Sequence, residues 1–315
     1  MIDLREHISL GGVSRHETFT PRYGWLKKGF DAIVEDNKAF NAQDSIERLG
    51  VGKNMVKSIR SWCLAFNLVE PYTNIDKKEK RGGLKPTEFG KKLLSNNGWD
   101  PYLEDISSLW LLHWNLFIPP FEASSWPLAF NYCSLQSFDL SQLARAIASS
   151  AKQFEKLSNR AETSFNKDAS CLLRMYSDGK SNQADGIECP FAQIDIIRQT
   201  EKQDVYRFVI GEKHTLSEYI FIASCFSYAK YTQPNQRSLS FHKLLYDFNS
   251  PGIAFKVTET EAGRLLDRAV KKIKGIEFVE SMGNRQLQFD NDPEELYWNI
   301  LSQYYEEKSE GSFEI

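Results

Sequence analysis

Residues 42–94 carry the pattern of a winged helix-turn-helix, an arrangement that leaves a chain few alternative folds. Residues 42–49 read as a short amphipathic helix with Asp44 near its start. Gly50-Val51-Gly52 follows as a tight turn, because glycine reaches the positive φ values that let two helices meet steeply. A longer helix is predicted over residues 53–69, where Met55, Val56, Ile59, Trp62, Cys63 and Phe66 recur at the spacing of one buried face. Its opposite face carries Lys53, Asn54, Lys57, Ser58, Arg60 and Ser61 and no acid, a chemistry suited to a DNA groove.

The sequence that follows supplies a wing. Residues 69–72 and 84–86 read as strands around the charged tip of residues 76–83, and Thr87 is placed to cap a short closing helix. Pro86 is compatible with an edge hairpin. Lys77, Lys78, Lys80 and Arg81 put cations at that tip, where they can reach a phosphate backbone. The competing reading is a winged helix used only for protein contacts, and the coincidence of basic helix face and basic tip favours DNA. The charge is also local. Residues 22–92 hold 15 Lys and Arg against 9 Asp and Glu, so a chain of net charge −3 carries a surplus of six cations here and −9 elsewhere.

Upstream, Pro21 and Gly24 fit a turn before a helix that carries Trp25, Leu26, Phe30, Ile33 and Val34 inward and leaves Arg22, Lys27 and Lys28 pointing elsewhere. Cations and Tyr23 around a helix start suit a phosphate, since unpaired amides already point there; an ordinary solvated turn is the alternative. Residues 1–18 are read as a polar arm ordered against the body. Residues 95–165 are helical and hold four of the seven tryptophans, with a buried helix around residues 105–117. His113 within it is either a catalytic base or, as is commoner for such a residue, a hydrogen-bonded core group. A helix is predicted over residues 140–157.

The C-terminal part repeats the order with weaker signals: helices over 215–231 and 239–246, a turn at 249–252, a helix over 258–273, and a hairpin pairing 276–280 with 285–289. Its long helix bears Arg264, Arg268, Lys271, Lys272 and Lys274, diluted by Glu259, Glu261 and Asp267. The predicted class is therefore mainly α with small β-hairpins (α+β). Three parts are expected: a winged helix-turn-helix DNA-binding domain with its arm (1–94), a Trp-rich helical linker region (95–165) and a winged-helix-like domain (166–315).

With 315 residues, 41% of them apolar, the chain can pack its cores without metal or disulfide help. Five scattered cysteines point to reduced thiols, and the absence of signal and spanning segments points to a soluble cytoplasmic protein. No phosphate-binding loop, dinucleotide fingerprint, nucleophile elbow or His-Glu-x-x-His pair is present. The nuclease pattern of an acid followed by Glu-x-Lys is missing too; residues 306–308 have the letters but sit in a polar tail. Metal-assisted hydrolysis here needs carboxylates brought together from distant positions.

Four strings, at residues 19–29, 49–60, 86–94 and 98–105, together with Leu109-Trp-Leu-Leu-His-Trp-Asn115, resemble a bacterial family associated with DNA phosphorothioation, the Ssp single-strand modification and anti-phage defence system. The resemblance spans nearly the whole chain and is most specific in the N-terminal third. It implies an endonuclease that nicks one strand so that sulfur can replace a non-bridging phosphate oxygen. A divalent cation, Mg²⁺ or Mn²⁺, is the implied cofactor, with no organic one. The implied partners are DNA, a cysteine desulfurase, an ATP pyrophosphatase-like sulfur-transfer enzyme and an ATPase. No motif transfers catalytic residues, so the catalytic candidates are Arg22, Tyr23 and Lys28, chosen for their position, and the metal ligands are unknown. The DNA-binding candidates are Lys27, Lys53, Asn54, Lys57, Ser58, Arg60, Lys77, Lys78, Lys80 and Arg81. The alternative function is a non-catalytic winged-helix adaptor or transcriptional repressor.

Overall fold

Helices dominate and the sheets are small in a computed structural model that describes residues 3–8, 11–72, 83–177, 189–281 and 283–311. The N-terminal elements are α1 (Leu4–Ile8), α2 (Trp25–Glu35), α3 (Ser45–Leu49), α4 (Lys53–Ala65), strands β1 (Val69–Pro71) and β2 (Leu84–Pro86), and α5 (Glu88–Leu94). Gly50 ends α3 in the left-handed conformation at φ 61°, so the turn into α4 uses glycine as its composition requires. α4 stops four residues before the predicted end. Asn67 turns left-handed at φ 56°, Leu68 N–H reaches Cys63 O at 2.9 Å, and Asn67 N–H reaches Leu64 O at 3.0 Å. That pair of bonds is a Schellman closure, which frees Val69 to begin β1.

β1 and β2 pair antiparallel, Val69 opposite Pro86 and Pro71 opposite Leu84. The basic tip with Lys77, Lys78, Lys80 and Arg81 lies outside the described residues. Thr87 caps α5 by accepting from Gly90 N at 2.9 Å. Gly90 itself passes so close to the chain that an added Cβ would sit 2.1 Å from Leu68 O.

The middle of the chain contributes α6 (Ile106–Asn115), α7 (Ser125–Tyr132), α8 (Leu140–Ala151), α9 (Glu155–Ser158) and α10 (Glu162–Tyr176). The helix expected over 140–157 is thus two. Phe154 adopts an extended conformation between them and buries its ring. α6 is buried at every residue from Ser107 to Asn115, as its all-round apolar pattern demands. α10 packs on α8 and α7, across the boundary drawn at residue 165, and buried side chains form a single cluster from Leu4 to Tyr305.

His113 is a hydrogen-bonded core residue. Its Nε2 donates to Ala254 O at 2.8 Å and its Nδ1 accepts from the Tyr176 hydroxyl at 2.7 Å. Burial pushes it down to about 4, against a smaller upward pull from Ala254. The unfolded chain therefore takes up a proton near pH 6.5 that the folded chain refuses until about pH 4. Stability is full above that upper value and is lost as pH falls through the window, by up to about 3 kcal/mol. The melting temperature should fall less across this window in His113→Gln, which keeps polar atoms but no ring to protonate.

The C-terminal elements are β3 (Ile197–Gln199), β4 (Tyr206–Phe208), α11 (Glu218–Thr232), β5 (Ser238–Ser240), α12 (Phe241–Tyr246), α13 (Pro251–Phe255), α14 (Glu259–Lys272), β6 (Ile276–Ser281), β7 (Asn284–Phe289) and α15 (Pro293–Gly311). The expected turn at 249–252 is made at Asn249, left-handed at φ 56°, and runs directly into α13, with Ser250 as its cap and Pro251 in its first turn. Leu239, expected in a helix, lies in β5. That strand joins the hairpin in a three-stranded antiparallel sheet ordered β5-β7-β6, with Leu239 opposite Leu287 and Phe278 opposite Leu287 on the other side. α14 turns its cations onto the chain's own acids: Arg264 pairs with Glu261 and Glu212, and Arg268 and Lys272 with Glu218 of α11. No described helix is long and apolar enough to cross a membrane.

Candidate nucleic-acid interface

α4 begins at Lys53 with no side chain capping its first amides and no acid in its first turn. Lys53, Asn54 and Lys57 are exposed along it, so unpaired N–H groups and two ammonium groups share one helix start. Three residues expected beside them are drawn inward. Ser58 is fully buried, as is most of Ser61, because the helix is embedded on more than half its circumference. Arg60 is half-buried; burial works against its charge, with Glu122 favouring it and Arg15 opposing it.

The arm preceding α2 is fastened against α4. Asp168 of α10 accepts from Ser14 N at 2.9 Å, from the Ser125 hydroxyl, and lies 2.7 Å from His16 Nε2. The His16 ring stacks on Trp62, whose Nε1 donates to Phe19 O at 3.0 Å. Between these anchors Glu17 accepts from Lys57 Nζ at 3.1 Å. Ser14, Glu17 and Thr18 all have positive φ, a conformation that non-glycine residues hold only when the surroundings impose it. Sequence reasoning missed Glu17, since nothing in its spacing reveals that the arm crosses α4.

At the start of α2 a groove of about 480 Å³ is lined by Tyr23, Lys27, Lys28, Asp31, Glu35 and Arg48, with Leu49 and residues 101–103 closing it. Lys28 is exposed and donates to Leu49 O at 3.0 Å, a cation at the carbonyl end of α3. Lys27, expected to point outward, is buried, its ammonium bonded to Asp31 Oδ1 at 2.6 Å and Asn96 Oδ1 at 2.8 Å. Arg22 lies over the rings of Trp25 and Phe19, at 5.3 and 5.9 Å. The Tyr23 hydroxyl accepts from Gln193 Nε2, and 48% of the residue is exposed. Asp31 and Glu35, one turn apart, bring the groove two carboxylates that the sequence reading did not single out. A helical period places them together, but only folding sets them against Tyr23 and Lys28. Among the described residues no three His, Cys, Asp or Glu side chains form a metal-binding cluster.

These features define a helix-rich α+β protein whose basic helix start and mixed-charge groove lie in its N-terminal third. A family model described as a protein of unknown function (DUF4007) matches residues 13–305. The SspB crystal structure is 31% identical, covers 95% of this chain and 90% of that chain, and superposes with a TM-score of 0.88. For the magnesium ion-bound SspB crystal structure the values are 32%, 94%, 88% and 0.87. No curated protein matches the chain significantly. The chain belongs to the DUF4007 family and is an SspB-like protein.

Proposed function

We propose that this SspB-like protein binds duplex DNA through an N-terminal winged helix-turn-helix and nicks one strand, opening it for phosphorothioate modification. The observation that carries the reading is the start of α4, where uncapped amides come together with the exposed side chains of Lys53, Asn54 and Lys57. A phosphate backbone needs this combination of fixed donors and mobile cations. α11 to β7 follow a second winged-helix order, but most of the cations on α14 are held by internal acids. We therefore assign DNA reading to residues 1–94, and to residues 166–315 a structural or partner-binding role, with residues 95–165 as the helical region that links them. A cysteine desulfurase, an ATP pyrophosphatase-like enzyme and an ATPase are the partners this role requires.

The groove at α2 is the proposed site of cleavage. Lys28, which lines the groove, and Arg22, which precedes its lining residue Tyr23 and lies on aromatic faces outside the lining, are the groups that would stabilise charge building on a pentacovalent phosphate. Tyr23 is the candidate nucleophile or sugar contact. Mg²⁺ commonly uses one or two carboxylates and otherwise water and phosphate oxygens, so Asp31 and Glu35 fit it and would hold it here, where it neutralises phosphate charge. Lys27 pairs with Asp31 at 2.6 Å, so a cation held by Asp31 would compete with that pair.

Incubating the protein with supercoiled plasmid tests the reading: open circles should form with Mg²⁺ or Mn²⁺ and stop with a chelator, while binding persists. Intact supercoils at saturating protein would instead favour the adaptor or repressor. A smaller effect is expected at the arm. Glu17→Gln frees Lys57 from an exposed pair worth at most about 1 kcal/mol, so duplex affinity should rise by up to about fivefold. An unchanged or weaker affinity would mean that Lys57 does not meet phosphate.

A further inference from the structure

Beside β1 a second cavity, of about 490 Å³, opens between the N-terminal elements and helices α11 and α15. Its walls include the rings of Tyr231, Tyr297 and Trp298. Asn115, the last residue of α6, lines it while being only 3% exposed, and its side-chain Nδ2 has no hydrogen-bond partner. A buried amide left unbonded costs about 1–3 kcal/mol, so it is a donor awaiting an acceptor. Three carboxylates line it: Glu70 is paired with Lys85 at 3.1 Å and Glu294 with Lys230 at 2.6 Å, which leaves Glu88 without an ion pair among the described residues.

Together these groups specify a ligand. Aromatic walls select a flat ring, the orphan donor selects a ring acceptor, and the Glu88 carboxylate accepts from an exocyclic amino group while repelling phosphate. A nucleobase with its phosphate outside meets all three conditions. We propose that this cavity binds a single unstacked nucleobase, delivered either by a free nucleoside or by a nucleotide drawn out of single-stranded DNA. None of Lys53, Asn54 and Lys57 lines the cavity, and its occupancy does not depend on duplex binding.

Calorimetric titration of the full-length protein with adenosine, guanosine, cytidine and thymidine should give saturable binding of at least one of them. The matching 5′-monophosphate should bind several-fold more weakly, and Glu88→Gln, an exposed change, should narrow that gap. Asn115→Leu, which keeps the volume and removes the donor, should lower nucleoside affinity by about tenfold with an unchanged circular dichroism spectrum. A single-stranded oligonucleotide carrying 2-aminopurine distinguishes the sources: a fluorescence change lost in Asn115→Leu identifies DNA as the supplier, and nucleoside binding without it identifies the free compound. Absence of saturable binding by every nucleoside at millimolar concentration, with no 2-aminopurine response, overturns the proposal. So does Asn115→Leu protein that is folded and binds as wild type. The Lys53→Glu/Lys57→Glu protein should retain nucleoside binding, so a failure here is separable from a failure of the duplex-binding reading.

Discussion

Replacing Lys53 and Lys57 together with Glu is expected to lower duplex affinity by about a thousandfold or more near 0.1 M salt. Each lost phosphate contact removes about 0.9 from the log-log salt slope, which at that salt is close to one decade of affinity, and each introduced carboxylate adds repulsion of similar size. Affinity measured across a salt series should thus fall and its slope should flatten by about 1.8. Both side chains are exposed and lie off the buried stripe of Val56, Ile59, Trp62 and Cys63, so the helix should remain folded. The carboxylate introduced by Lys57→Glu would face Glu17, and the thermal melt reports whether the arm loosens. A folded variant with the wild-type slope would exclude α4 as the DNA-binding element.

Arg22→Ala and Lys28→Ala are each expected to reduce the nicking rate by at least about a hundredfold while changing affinity by less than about fivefold. Groups that meet charge only as it develops act on the chemical step, and removing one such donor costs on the order of 3 kcal/mol. Lys28 also holds Leu49 O, so its loss should cost about 1 kcal/mol of stability, visible in the melt but too small to account for the rate. Single-turnover nicking at saturating protein separates chemistry from binding. Wild-type rates in both variants would move the active site elsewhere, with the carboxylates of the C-terminal half the next candidates.

The local elements were largely legible. Thr87 caps α5, Gly50 turns left-handed after α3, and the 276–289 hairpin has its strands where alternation put them. Each depends on a few neighbouring residues, and the physics that sets it acts over one turn of helix or one pair of strands. Errors occur where a longer-range demand overrides the local one. The run at 140–157 has helical periodicity throughout, yet burying Phe154 breaks it; Leu239 has helix-forming neighbours, yet pairing with Leu287 draws it into a strand.

The candidate site divides in the same way. The periodicity of α4 predicts which residues share a face, and Lys53, Asn54 and Lys57 are exposed as that periodicity implies; the kinship with SspB was legible in the strings around them. Ser58 and Lys27 were misplaced because polarity alone does not report how much of a helix its neighbours cover. Ser58 is enclosed as α4 packs into the core, and Lys27 is drawn inward by Asn96, sixty-nine residues away. Glu17 on Lys57, Asp168 under His16, and the assembly of Tyr23, Lys28, Asp31 and Glu35 around one groove exist only once the chain is folded. The sequence by itself determined the helices, caps, hairpins and local surplus of positive charge, since these follow from side-chain shape and spacing within a few residues. Tertiary structure alone decided which cations stay in water and which are taken by a carboxylate, because an ion pair needs its two charges within a few ångströms, and separation along the chain does not set that distance.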